Sequence, residues 1–232
     1  MSARPSADRR FFDLWSRVYD APPVQWLTYR PVHDAVLRAL RRDRRRRILD
    51  VGCGTGLLAA RLARELPHAA VTGCDFSRGM LSRASAHRPE LGWVQGDAQQ
   101  LPFAPSSFDA VVSTEAFHWF PDPEAALVEF HRVLAPGGRL CVALVNPPLE
   151  GIGRLAALGS RWVGEPFYWP TRERMRAWVE AAGFRVETQQ RVLRVPAGLL
   201  FPTVLTVAAR PPPAARARPP MGGRLEAPAV PG

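Results

Sequence analysis

"ILDVGCGTGLLAARL", residues Ile48 to Leu62, decides the fold. An apolar run stops at Asp50 and Val51, turns through Gly52, Cys53, Gly54 and Gly56, and restarts as a helical pattern. Glycines at this spacing allow a tight strand-to-helix turn, close approach of a ligand to backbone, and close packing of the helix. A G-x-G-x-G turn alone is also compatible with a connection that binds nothing. A Walker-type phosphate loop is excluded, because that motif requires a lysine and the chain contains none. What remains is a dinucleotide or a nucleoside ligand that carries no phosphate.

Outward from this turn the pattern alternates. Strand-like runs occur at "RILDV", "AVTGCD", "GWVQGD", "FDAVVS" and "RLCVALV", separated by helical stretches such as "LLAARLAREL" and "PEAALVEFHRVLA". In the second helix Asp122 is placed to cap, Pro123 suits the first turn, Leu127, Phe130 and Leu134 share a face, and Gly137 with Gly138 is expected to end it. Short apolar strands alternating with amphipathic helices predict a parallel sheet covered on both faces. A capped helix "TRERMRAWVEAAGF" follows later, then "FRVETQQRVLRV" and "TVLTVAAR", joined by a loop too short for a helical crossover, so this pair is expected to be an antiparallel hairpin.

The chain has 232 residues, 47% hydrophobic and 22% charged, which suits one globular domain. That domain is expected over residues 9–210, with N-terminal helices in 9–46 and a substrate-side insertion at 147–170. Residues 1–8 and the proline- and arginine-rich 211–232 are expected to be disordered. No apolar run is long enough for a membrane span and the N-terminus lacks a secretory apolar region, so a cytoplasmic location is expected. Cys53, Cys74 and Cys141 have no C-x-x-C spacing and the five histidines form no ligand pattern beside them, so neither disulfides nor a metal are expected. The net charge of +10 comes entirely from arginine. With 24 prolines, this skew fits a composition bias better than phosphate recognition, and the run Arg41 to Arg47 reads as a solvated helix end and connector.

Three successive strands run into carboxylates, Asp50, Asp75 and Asp97. They would lie along one sheet edge, at the carboxyl ends where open α/β sheets bind ligands. An acid after the second strand suits ribose hydroxyls, and one after the third can accept from an adenine amine beside small Ala98. Three acceptors make a poor pyrophosphate site and a good one for an amine, a ribose and an adenine.

With these residues in view the chain resembles the class I S-adenosylmethionine-dependent methyltransferases. The matching motifs are "ILDVGCGTG", "GCDFSRGML", "GDAQQLPF", "FDAVVSTEAFHWF" and "HRVLAPGGRL", over residues 48–145. The resemblance implies a Rossmann-like α/β fold with a seven-stranded, mostly parallel sheet. It implies S-adenosyl-L-methionine as cofactor, with Gly52, Cys53, Gly54 and Gly56 against its methionine part and Asp50 helping to hold the ammonium. Asp75 would grip the ribose, Phe76 and Met80 would flank the adenine, Asp97 and Ala98 would read its edge, and Thr114 would face the cofactor. "YRPVHDAVLRAL" and "AFHWF" resemble the small-molecule branch related to trans-aconitate and quinone methyltransferases. That branch nominates Tyr29 and Arg30 for the cofactor carboxylate, against the alternative that Tyr29 packs and Arg30 is a surface charge.

The implied reaction is methyl transfer to a small-molecule acceptor, with no nucleic-acid partner and no implied oligomeric state. Should a proton have to leave the acceptor, His118 or Glu115 is the nearest base, although His118 between Phe117 and Trp119 also suits plain aromatic packing. Trp162, Phe167, Tyr168 and Trp169 could cover an apolar acceptor or seal a long connection. An RNA or protein methyltransferase, and a cofactor-binding protein without turnover, are the competing functions.

Overall fold

The computed structural model describes residues 29–41, 45–148, 151, 169–192 and 202–212. The expectations for residues 1–28, for Trp162, Phe167 and Tyr168, and for the tail beyond residue 212 lie outside them. In chain order the elements are α1 (Arg30–Arg41), β1 (Arg47–Val51), α2 (Leu57–Glu65), β2 (Ala70–Asp75), α3 (Arg78–His87), β3 (Gly92–Gln95), β4 (Phe108–Thr114), α4 (Pro123–Val133), β5 (Leu134–Val145), α5 (Arg172–Ala181), β6 (Arg185–Val192) and β7 (Thr203–Ala209). The strands form one seven-stranded sheet in the order β3-β2-β1-β4-β5-β7-β6. β1 to β5 pair in parallel, while β7 runs antiparallel to both β5 and β6. The expected α/β fold with its closing hairpin is therefore the observed one, with β7 lying inside the sheet and β6 at its edge.

Each face of the sheet carries its own core, as alternation of side chains along buried strands requires. Ile48, Ala110, Val112, Cys141 and Ala143 face α1 and α2, while Leu49, Val111, Leu140, Val142 and Leu144 face α4 and α5. The helices bury matching stripes: Val32, Val36, Leu37 and Leu40 on α1, and Ala126, Leu127, Phe130 and Val133 on α4. Leu37 and Leu40 are almost fully buried, and such side chains contribute about 1.5–3 kcal/mol each. Arg61 of α2 bridges to Asp34 on α1 at 2.6 Å and to Glu65 at 3.0 Å, while Arg41 reaches Glu65 at 2.5 Å. These partly exposed pairs add little energy singly, but they fasten α1 to α2.

The caps follow the sequence at two helices. The Asp122 carboxylate accepts from Ala125 N–H at 2.9 Å with Pro123 in the first turn, and Thr171 Oγ1 accepts from Arg174 N–H at 3.2 Å. The other end of α4 departs from expectation. The helix stops at Val133, where Leu134 N–H still donates to Phe130, and Gly137 and Gly138 lie within β5 rather than past a helix end. Their role is set by long-range pairing: Gly137 N–H donates to Arg210 O at 2.8 Å and Arg210 N–H to Gly138 O at 2.9 Å. The β4–β5 register shifts between the Phe108–Leu134 and Ala110–Arg139 pairs. Gly137, at φ 74°, supplies the left-handed residue that such an irregularity favours.

Among the described residues no helix is long and apolar enough to cross a membrane.

Candidate functional site

β1 ends one residue after Asp50, and the chain must reverse at once into α2. It does so with Gly52 at φ 70°, Gly54 at φ 54° and Gly56 at φ 81°. The turn is held to the neighbouring strand, since Gly52 N–H and Cys53 N–H both donate to Cys74 O, at 2.8 and 3.1 Å. A side chain on Gly52 would collide with the Ala116 Cβ, whereas a Cβ on Gly54 would meet nothing within 4 Å. The turn is thus closed towards β4 and open at Gly54, where a ligand can approach the backbone.

Asp75, the last residue of β2, secures the same turn from the side. One carboxylate oxygen accepts from Gly54 N–H and the other from Ser77 N–H, both at 2.8 Å. Desolvation raises the Asp75 carboxyl above the ordinary carboxylate range, while these backbone donors oppose the rise. A carboxylate has about four acceptor sites, so after the Gly54, Ser77 and Phe76 backbone donors capacity remains for a hydroxyl.

Asp50 sits deeper. It is 1% exposed, and among the described residues its Oδ2 has no hydrogen-bond partner. Burial first, then the nearby Asp75 charge, push its carboxyl up to about 7, against the opposing backbone N–H of Ala59. A buried acceptor without a donor costs stability unless something arrives to satisfy it. Asp50 lines a small, partly open pocket with a cavity volume of about 20 Å³, together with Tyr29, Gly52, Cys53 and Thr114. Those five positions were expected from the sequence. Its remaining walls are His33, Thr55, Leu57 and Leu58, which the motifs did not single out. His33 is 6% exposed on the inner side of α1, and the sequence pattern assigns it no role. The donor set suits a cation with a polar, amino-acid-like neighbourhood: an unpartnered carboxylate oxygen, a positive-φ glycine turn and hydroxyls from Tyr29, Thr55 and Thr114.

The other expected residues fall outside this wall. Arg30, one residue from Tyr29, is exposed and does not line the pocket. Met80 is buried at 5% in the first turn of α3, which Ser77 caps by accepting from Met80 N–H at 3.2 Å. Phe76 is 50% exposed, one of two large apolar side chains that stand out among the described residues. Asp97 lies two residues past β3, which ends at Gln95, in a turn where its Oδ1 accepts from Gln99 N–H at 2.9 Å. Ala98 beside it is buried. Phe76, Asp97 and Ala98 thus lie just past the ends of β2 and β3, a shelf on which Phe76 is exposed and Ala98 is buried.

Beyond β4, Glu115 has φ 55°, a strained conformation for a residue with a side chain. Glu115 N–H donates to Ala143 O at 2.8 Å, which holds the bend. His118 follows in a short 3₁₀ turn, Phe117–Trp119, with its ring 5.1 Å from that of Trp119. Neither Glu115 nor His118 lines the pocket.

Comparison with known proteins agrees with this geometry. The family model described as a methyltransferase domain matches residues 49–142. The demethylmenaquinone methyltransferase of Thermus thermophilus is 38% identical over 165 residues, covering 61% of this chain and 75% of that protein. The malonyl-[acyl-carrier protein] O-methyltransferase of Hahella chejuensis is 44% identical over 105 residues, which span 44% of this chain and only 38% of that enzyme. Among solved structures, the S-adenosylmethionine-dependent methyltransferase from Mesorhizobium loti superposes with a TM-score of 0.64 at 23% identity, covering 76% of this chain and 96% of that one. Fold, glycine turn and relatives together establish that the chain belongs to the class I S-adenosylmethionine-dependent methyltransferases.

Proposed function

We propose that the protein transfers the methyl group of S-adenosylmethionine to a small-molecule acceptor. The observation that carries this is the unpartnered, fully buried Asp50 oxygen on the wall of the glycine-turn pocket, an acceptor suited to a cationic amino-acid terminus. The named substrates of the relatives, demethylmenaquinone and malonyl-[acyl-carrier protein], favour a biosynthetic acceptor over a macromolecular nucleic acid.

When bound, the cofactor supplies a methyl group already activated by its sulfonium charge. The residues then have positional work to do. Asp50 and the Gly52–Gly56 turn hold the ammonium end, with Thr114 and Tyr29 closing the pocket around it. Asp75, already accepting from Gly54 and Ser77, takes a ribose hydroxyl on its remaining lone pair. Phe76, Met80, Asp97 and Ala98 receive the adenine on the shelf. Alignment of this kind can supply about 7–11 kcal/mol of the barrier, so a dedicated base is optional. Where the acceptor must lose a proton, Glu115 or His118, in the chain just beyond β4, would be the base.

S-adenosylhomocysteine is expected to raise the melting temperature of the wild type, and Asp75→Ala to remove most of that rise. Stabilisation by NAD in its place would overturn the reading. Turnover is tested with labelled methyl donor against small-molecule extracts.

A further inference from the structure

The shelf residues Asp97 and Ala98 belong to a loop that neither neighbouring strand holds along its length. At its start Gly96 N–H donates to Asp75 O at 3.1 Å, and there is no room for a side chain, because a Cβ on Gly96 would lie 2.7 Å from Pro102 Cδ and 2.9 Å from Cys74 Sγ. The rest is fastened from the far side, by α4. Glu129 Oε2 accepts from Leu101 N–H at 2.7 Å. Arg132 meets both Glu129 oxygens at 2.7 Å in a fork, and its remaining N–H groups reach Phe103 O at 2.7 Å and Leu101 O at 2.9 Å.

The fastening exceeds what a surface ion pair provides. The two side chains are 16% and 33% exposed, the pairing is bidentate, and three backbone groups of one loop are bound by two side chains three residues apart. Charge-assisted, forked bonds of this type fix geometry as well as adding energy. Leu101, in the centre, is 3% exposed, and Phe103 makes an edge contact with Phe108 at 5.0 Å, so the loop is clamped both by polar bonds and by core packing. The tip with Asp97 and Ala98 is held within the loop, by Gln100 N–H donating to Asp97 O at 3.0 Å and by the Gln99 backbone and amide donating to the Asp97 carboxylate. What the tip presents to a ligand is therefore decided by how the loop is held at Leu101 and Phe103.

We infer that Glu129 and Arg132 are a positioning pair for nucleobase selection, setting the Asp97–Ala98 tip at the height where it distinguishes adenine from a base with a 6-oxo group. The inference rests on the cofactor placement proposed above. Neither residue touches the ligand. Their effect passes through the backbone of Leu101 and Phe103, so it is confined to the base end and leaves the Asp50 pocket unchanged.

The test is calorimetric titration of the full chain with S-adenosylhomocysteine and with its 6-oxo analogue, S-inosylhomocysteine. The wild type is expected to prefer the adenine form. Glu129→Ala and Arg132→Met should weaken S-adenosylhomocysteine by about tenfold, the size of losing one bond to a charged group, and leave the analogue almost unchanged, so that the preference collapses. Glu129→Gln, which keeps an oxygen for Leu101 N–H, should retain an intermediate preference, and it serves if Glu129→Ala does not fold. A preference that stays at the wild-type value in these variants, with only melting temperature reduced, overturns the inference. Equal wild-type affinity for the two compounds overturns it too, whereas failure of the wild type to bind either removes the cofactor reading beneath it.

Discussion

Protonation of Asp50 should be coupled to cofactor binding. In the ligand-free chain burial and the neighbouring Asp75 push its carboxyl up to about 7, which disfavours the charged form by about 4 kcal/mol. An ammonium group placed against the unpartnered Oδ2 reverses that balance, so the bound state holds the carboxylate and binding below pH 7 expels a proton. With a ligand-free value of 7 and a much lower bound value, affinity for S-adenosylhomocysteine should rise about twenty-five-fold from pH 5.5 to 7.5 and change little above that. Stability of the ligand-free chain should move the other way. Because the folded value exceeds the unfolded one, this group's contribution is fully present below about pH 4 and is lost as pH rises through 7.

Isothermal titration across this pH range, repeated in buffers of differing ionisation enthalpy, measures both the affinity and the proton count. Close to one proton should be released at pH 6. Asp50→Asn should bind weakly at every pH with a flat profile, near the acid limit of the wild type. An affinity that varies less than threefold between pH 5.5 and 7.5, or a variant that keeps the wild-type slope, would refute the assignment of Asp50 to the ammonium.

Three further outcomes follow from local geometry. Asp122→Ala removes the acceptor for Ala125 N–H at the start of α4 and should cost about 1 kcal/mol in urea unfolding; an unchanged midpoint would mean the cap is replaced by solvent. Gly56→Ala forces a side chain into φ 81° and against the Trp93 indole, so at least about 2 kcal/mol should be lost, visible as a lower melting temperature with the turn's ligand affinity also reduced. His118→Gln should lower kcat by less than tenfold if the imidazole chiefly packs beside Trp119; a fall of about a hundredfold or more, at unchanged cofactor affinity, would make it the general base.

The parallel core was legible because its signals are local. Each of β1, β2 and β4 is a short apolar run, and the three glycines of residues 52–56 mark where the first strand turns into a helix. The caps at Asp122 and Thr171 were equally readable, since a capping side chain reaches only three residues ahead. Gly137 and Gly138 misled for the converse reason. After an amphipathic helix a Gly-Gly pair reads as its end, and only the bonds to Arg210, more than seventy residues later, place it in a strand. The pocket wall shows the same limit. His33 lies on the buried stripe of α1, where periodicity alone cannot separate a core side chain from one at a cavity. Tyr29 and Arg30 were nominated together, yet consecutive helical positions diverge by about 100°, and only the first faces the pocket. The end of β3 at Gln95 rather than Asp97 depends on where pairing with β2 stops, which no local residue announces.

The place of β7 has a consequence for biosynthesis. β5 leaves the ribosome with a partner on one side only, and the strand that completes its other side is the last of the described strands to be made. β6, emerging between them, pairs among the described strands only with β7. A nascent chain therefore carries an uncovered sheet edge along Arg139–Val145 until Thr203–Ala209 is synthesised, the kind of edge that recruits foreign strands. Truncation within β7 should accordingly produce aggregation rather than a smaller folded enzyme.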